Sequence, residues 1–210
     1  MTNRSITDWS HKREEVKRMA RPREFDEAAV LEAVKDVFWR EGYEGTSYAD
    51  LIAASGLHKG SLYAAFGDKK SLYLHALRTY DDGEVSGAVA LLSGEDNASG
   101  KSGPERIASL LNMVVDAVAR NGDRRGCLLC NAAVDQAPHD IDVEQAVSEG
   151  FERMQNAFET ALADGPKNAA LKNKASLINA TYFGMRVMAK SGAPVSMMKQ
   201  ARNGALNSIR

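Results

Sequence analysis

The sequence predicts an all-α protein, and three features carry that expectation. Apolar residues recur at spacings of three and four over most of the 210 residues, no stretch of useful length alternates apolar with polar residues, and prolines number only five. The same pattern divides the chain into a basic N-terminal extension (1–21), a compact three-helix unit (22–78) and a larger helical domain (79–210). A chain of this length can bury a proper core and suits a small domain joined to a larger one.

Composition narrows the function. The formal net charge is -1, so any nucleic-acid role must rest on local charge, and up to Arg23 the Lys and Arg residues outnumber Asp and Glu by four. No run of about eighteen apolar residues suggests a membrane span, and the first twenty residues lack the apolar centre of a secretion signal. Two cysteines, Cys127 and Cys130, make no disulfide framework, which suits a reducing cytoplasm.

Within the extension, Thr7 to Met19 can form one short amphipathic helix. Asp26 starts the next helix as N-cap, with Phe25 before it and Val30 inside it set as a hydrophobic staple. Val30, Ala33, Val34, Val37 and Phe38 form its core stripe, Trp39 packs beside that stripe, and Gly42 ends the helix.

The stretch TSYADLIAASGLHKGSLYAAFGDKK, Thr46 to Lys70, reads as two short helices joined by a tight turn at Ser55-Gly56-Leu57. Ser47 is the first N-cap with Asp50 as capping-box partner; Tyr48, Leu51 and Ile52 share a face; Gly56 supplies the positive φ at the turn. The second helix, about His58 to Phe66, turns Leu62 and Phe66 inward and leaves His58, Lys59, Ser61 and Tyr63 outside. These side chains can hydrogen-bond base edges or phosphates, and the pair reads as a helix-turn-helix. Asp68 then caps a helix running through Leu72, Leu74, Leu77 and Tyr80 towards Leu92.

Over Phe25 to Leu77, GTSYADLIAASGLHKGSLYAAFGDKKSLY above all, the sequence resembles the DNA-binding domain of the tetracycline-repressor (TetR) family. The resemblance implies a homodimer whose third helix enters the major groove and whose fourth leads to a helical ligand-sensing domain. Carried onto this sequence, it implies that Ser47, Tyr48 and Lys69 hold phosphates, that Lys59 and Ser61 meet base edges, that the backbone at Gly60 approaches closely and that Tyr63 touches base or phosphate. Arg21 and Arg23 are suited to the minor groove, although phosphate contact or plain disorder suits the same residues.

Beyond Leu92, the polar, Gly-rich stretch Ser93 to Gly103 reads as a mobile loop, and Pro104 opens a helix at its first position with Ile107, Leu110, Leu111, Val114, Val115 and Val118 inward. Cys127 to Val134 reads as a short buried helix ended by Pro138. A long helix over about 143–163, broken by Gly165-Pro166, carries Val147, Phe151, Met154, Phe158 and Leu162 along one side. The next helix, about 170–191, is apolar on two faces, one through Leu177, Thr181, Gly184 and Met188 and the other through Ile178, Tyr182, Met185 and Ala189. The last carries a small-residue stripe at Val195, Met198, Ala201, Ala205 and Ile209. The resemblance makes this pair half of an intersubunit four-helix bundle.

Two constellations bear on chemistry. Cys127 and Cys130 follow Arg124, Arg125 and Gly126 at a helix start, a setting that favours thiolate and hence a redox switch, whereas two small buried hydrophobes are the simpler explanation of the pair. An all-α dithiol peroxidase or disulfide reductase also uses Cys-x-x-Cys, but Val134 stands where its proton-transferring His would be expected, so no catalytic site is read. Zinc is not expected, because His139 completes no four-ligand set, and no cofactor is implied. Met113, Phe151, Met154, Phe158 and Tyr182 are candidates for an effector pocket, or simply for core. The expectation is a cytoplasmic regulator, a repressor leaving a palindromic operator on a small-molecule or oxidative signal, with activation as the alternative outcome.

Overall fold

The computed structural model describes residues 25–95, 100–163 and 168–209. The helix expected at Thr7 to Met19, together with Arg21 and Arg23, lies outside these residues, as do the centre of the loop after Ser93 and Gly165-Pro166. Among the described residues all regular structure is helical.

Helix α1 (Glu27–Gly45) starts where Asp26 accepts the N–H groups of Ala28 and Ala29, and it is interrupted at Gly42, whose φ of 76° no β-carbon would favour. Helices α2 (Tyr48–Ser55) and α3 (Lys59–Phe66) meet at Gly56, left-handed at φ 66°. The buried side chains Val34, Phe38, Leu51, Leu62 and Phe66 hold the three together, and the Phe25 ring lies against Phe66 at 6.1 Å.

Asp68 caps α4 (Lys69–Tyr80) through Ser71, after which one π-helical turn, Asp81–Val85, leads into α5 (Ser86–Ser93). The expected single long helix is therefore continuous but widened at its middle, where Arg153 from the second domain grips Asp81 and donates to the Ser86 hydroxyl. The division at 78–79 falls inside α4.

The chain continues with α6 (Gly103–Asn121), α7 (Leu128–Asp135), α8 (Ile141–Leu162), α9 (Ala169–Lys190) and α10 (Val195–Asn207). Helix α8 lies centrally, packed on α5, α6, α7 and α9, while α10 lies on α9 and α6. The start of α6 is a capping box between Ser102 and Glu105, so Pro104 stands one position further in than expected. All six apolar residues named for α6 are buried.

Two expectations are corrected. Val134 is not buried: α7 packs its N-terminal half inward and leaves Val134 81% exposed. In α10 two of the stripe residues, Met198 and Ala205, are buried within the protomer, where α10 lies on α9 and α6; Met198 fills space between the helices and the small Ala205 lets them approach closely.

Candidate nucleic-acid interface

Helix α3 presents His58, Lys59, Gly60, Ser61 and Ala64 to solvent, with Tyr63 half-buried beside them. The Tyr63 ring lies 5.3 Å from that of Tyr48, which points outward rather than into the core, and the Lys59 ammonium sits over both rings at 5.8 and 5.6 Å. Burial and the Tyr48 hydroxyl push the Tyr63 phenol up to about 12, so it stays protonated and can donate. A β-carbon added at Gly60 would meet nothing within 4 Å, so the fold itself does not demand glycine there.

Two helix N-termini flank this surface. Ser47 donates its hydroxyl and its backbone N–H to Asp50 and accepts the Asp50 N–H, so its side chain is committed to capping. The first N–H groups of α2 beyond the Ser47 cap are what this helix start leaves for an anion. At α4, Lys69 stands over the Tyr43 ring at 4.5 Å, whereas Lys70 is held by Asp140 and Asp142 of α8, each at 2.8 Å. Lys69 is thus the cation left to face outward at this helix start.

Behind the surface, α1 is pinned to the second domain. The buried Trp39 donates its indole N–H to the Gly126 carbonyl at 3.3 Å, the Tyr80 ring meets it edge-on at 4.9 Å, and the Arg125 guanidinium lies over it at 3.9 Å. Arg125 also pairs with Asp36 of α1 at 3.0 Å and with Asp123 at 2.9 Å. Gly126 adopts φ 74° and passes so close to α9 that a β-carbon would come within 2.9 Å of the Arg186 carbonyl oxygen.

The cysteines follow directly. Cys127 is the N-cap of α7 in extended conformation, so only Cys130 stands on the helix itself; both are buried. Burial alone would push the Cys127 thiol up. The Cys130 thiol, the Arg186 charge and the Tyr80 hydroxyl outweigh that and hold it down at about 6. Cys130 is pushed up, first by its hydrogen bond to Cys127 and then by burial.

A cleft of about 410 Å³ opens between the π-helical turn, α5, α6 and α9. Tyr182 and Met113 line it, the latter 60% exposed at its mouth. Phe151, Met154 and Phe158 do not: Met154 and Phe158 are buried in the core, and Phe151 stacks on Phe183 at 4.4 Å. Sequence spacing named their face of α8 correctly but could not say that the face meets protein. The residues it missed are Trp39, Arg125 and Arg186, brought to the cleft only by the tertiary fold.

The family model for bacterial regulatory proteins of the TetR family matches residues 30–76, and that for the C-terminal domain of LmrA/YxaF-like transcriptional regulators matches residues 104–203. The uncharacterized HTH-type transcriptional regulator YezE of Bacillus subtilis is 31% identical over 140 residues, 67% of this chain and 70% of that protein. The chain belongs to the TetR family. The HTH-type transcriptional repressor ComR of Escherichia coli is 26% identical over 190 residues, covering 88% and 89% of the two chains. Among solved structures, a cysteine mutant of the TetR family regulator CifR complexed with 26 bp operator DNA superposes with a TM-score of 0.75 at 30% identity, covering 89% of this chain and 98% of that one. The reduced form of E. coli NemR shares the fold, with a TM-score of 0.73 at 17% identity over 85% and 94% of the chains. This TetR-family protein is thus a DNA-binding transcriptional regulator with its helix-turn-helix in α2 and α3.

Proposed function

We propose that the protein is a homodimeric repressor that grips a palindromic operator through α3 and releases it when its second domain receives a signal. The observation that carries this reading is the exposed cluster of Lys59, Ser61 and Tyr63 around an uncrowded Gly60, flanked by helix starts suited to phosphate. Lys59 and Ser61 read bases, Tyr63 meets base or phosphate, and Lys69 with the α2 and α4 N-termini holds the backbone. Two such helices about one DNA turn apart, roughly 34 Å, enter successive major grooves.

In a gel-shift titration, Lys69→Ala is expected to weaken binding to all sequences and to flatten the salt dependence by about one unit of slope. Lys59→Ala is expected to relax sequence preference by about 1 to 3 kcal/mol. Gly60→Ala should leave thermal stability within about 0.5 kcal/mol of wild type yet weaken the operator complex, since the added methyl meets only the partner. Unchanged affinity in all three would refute this assignment of the reading surface.

A dimer through the last two helices is supported by a strip left uncovered on α9: Leu177 and Val187, each 51% exposed, with Ala180 and Gly184 between them at helical spacing. Met197 and Gly204 of α10 are also exposed. A β-carbon at Gly184 meets nothing within the protomer. Gly184→Arg should therefore fold, sediment as a monomer and lose operator affinity with the second reading head. A dimer of ordinary stability in that variant would rule out the seam.

The low-lying Cys127 thiol beside Cys130 supports an oxidative route to release. The two thiols would give two electrons and two protons to hydrogen peroxide, yielding one disulfide and two waters, and closing that bond would shift the Gly126 turn that holds Trp39. Mild peroxide should weaken operator binding by the wild type and leave Cys127→Ser and Cys130→Ser unaffected. Retained wild-type affinity with both thiols still titratable would eliminate this route.

A further inference from the structure

We propose that the cleft takes an organic monocarboxylate, its anionic head paired with Arg186 and its apolar body lying between α5 and α6. The inference rests on reading the second domain as effector-sensing, and it adds the chemical class of the effector.

Two guanidinium groups line the cleft, and they differ in what already satisfies them. Arg125 is matched by Asp36 and Asp123. Arg186 donates one N–H to the Tyr80 hydroxyl at 2.9 Å, its Nε is buried without any hydrogen-bond partner, and among the described residues no carboxylate lies within ion-pair distance of it. The two carboxylates that line the cleft face other cations, Asp123 pairing with Arg125 and Glu84 lying 3.9 Å from Lys35. Arg186 has the Cys127 thiol nearby but no carboxylate to balance it, and a planar fork with an unbonded N–H is the geometry that takes a carboxylate. Its surroundings narrow the choice further. Ala88 and Leu91 of α5 and Leu110 and Val114 of α6 give the walls an apolar character, and the volume suits a molecule of one ring or a medium chain. The bound anion would touch Trp39 of α1 and the π-helical turn at Gly83, the two elements that lead to the reading head.

The test is calorimetric titration of the full-length protein with benzoate, 3-phenylpropionate and octanoate, each beside its primary amide, for wild type, Arg186→Met and Arg186→Lys. At least one carboxylate is expected to bind wild type about tenfold or more tighter than its amide, in line with a charge-assisted hydrogen bond. That preference should vanish in Arg186→Met and persist in part in Arg186→Lys. Melting curves without ligand, taken in a Cys127→Ser background so that no thiolate can serve as counter-charge, should place Arg186→Met at or above its parent. Equal affinity for acids and amides, a preference that survives in Arg186→Met, or no binding of any probe would overturn the proposal. Operator titration of the unliganded protein reads the regulator function separately, so loss of one conclusion leaves the other intact.

Discussion

The contact on which the rest of the structure depends is the burial of Trp39 between the two domains. Its ring is enclosed, its indole N–H meets the Gly126 carbonyl, Tyr80 meets it edge-on and Arg125 covers its face. The carbonyls of Trp39 and Arg40 in turn receive the Lys190 ammonium from the end of α9 at 3.3 and 2.8 Å. Burying a side chain of this size contributes roughly 4 to 6 kcal/mol before its entropy cost, far more than the exposed ion pairs around it. One residue of the DNA-binding unit thereby fixes how that unit sits on the helices that follow it.

The same residues belong to more than one site, and that sharing gives the molecule its logic. Trp39, Arg125 and Arg186 line the cleft; Gly126 carries the acceptor for Trp39 and immediately precedes Cys127; Tyr80 bonds Arg186 and influences the Cys127 thiol. A ligand at Arg186 and an oxidant at the thiols would act on one packed junction. Close-packed groups of this kind change between discrete arrangements more readily than they deform smoothly, so a small local change can be passed to α1 as a change in its seating. In the proposed dimer the reading surface itself need not be touched, since operator affinity would depend on where two α3 helices stand relative to each other.

What the sequence revealed and what it concealed divide along a physical line. The helix starts at Asp26, Ser47 and Asp68 were legible because capping is local, and the left-handed turn at Gly56 for the same reason. The inward residues of α6 were legible because burial imposes a helical period. Periodicity names a face but not its partner. Ala205 accordingly covers its own protomer, Phe158 and Met154 fill the core rather than the cleft, and Val134 stands outside on a helix too short to display its period. Arg186 gave no signal at all: on α9 it reads as one more cation, and only the fold brings Tyr80 and the cleft to it. The commitment of Ser47 to Asp50 was visible as a capping box, yet its consequence for phosphate binding appears only once both of its donors are traced.

If the seating of α1 through Trp39 sets the operator-binding state, loosening that seat must change DNA affinity. Trp39→Phe retains an enclosed ring and removes the donor to Gly126, at a cost near 1 kcal/mol for one hydrogen bond. Operator titrations of this variant at two salt concentrations test the claim most directly. The expected result is a loss of about fivefold or more in affinity, with sequence preference and salt slope unchanged, because the contacts to bases and phosphates stay in place. Operator affinity equal to that of the wild type, in a variant shown to have altered junction packing, would mean that the seat of α1 does not set DNA binding.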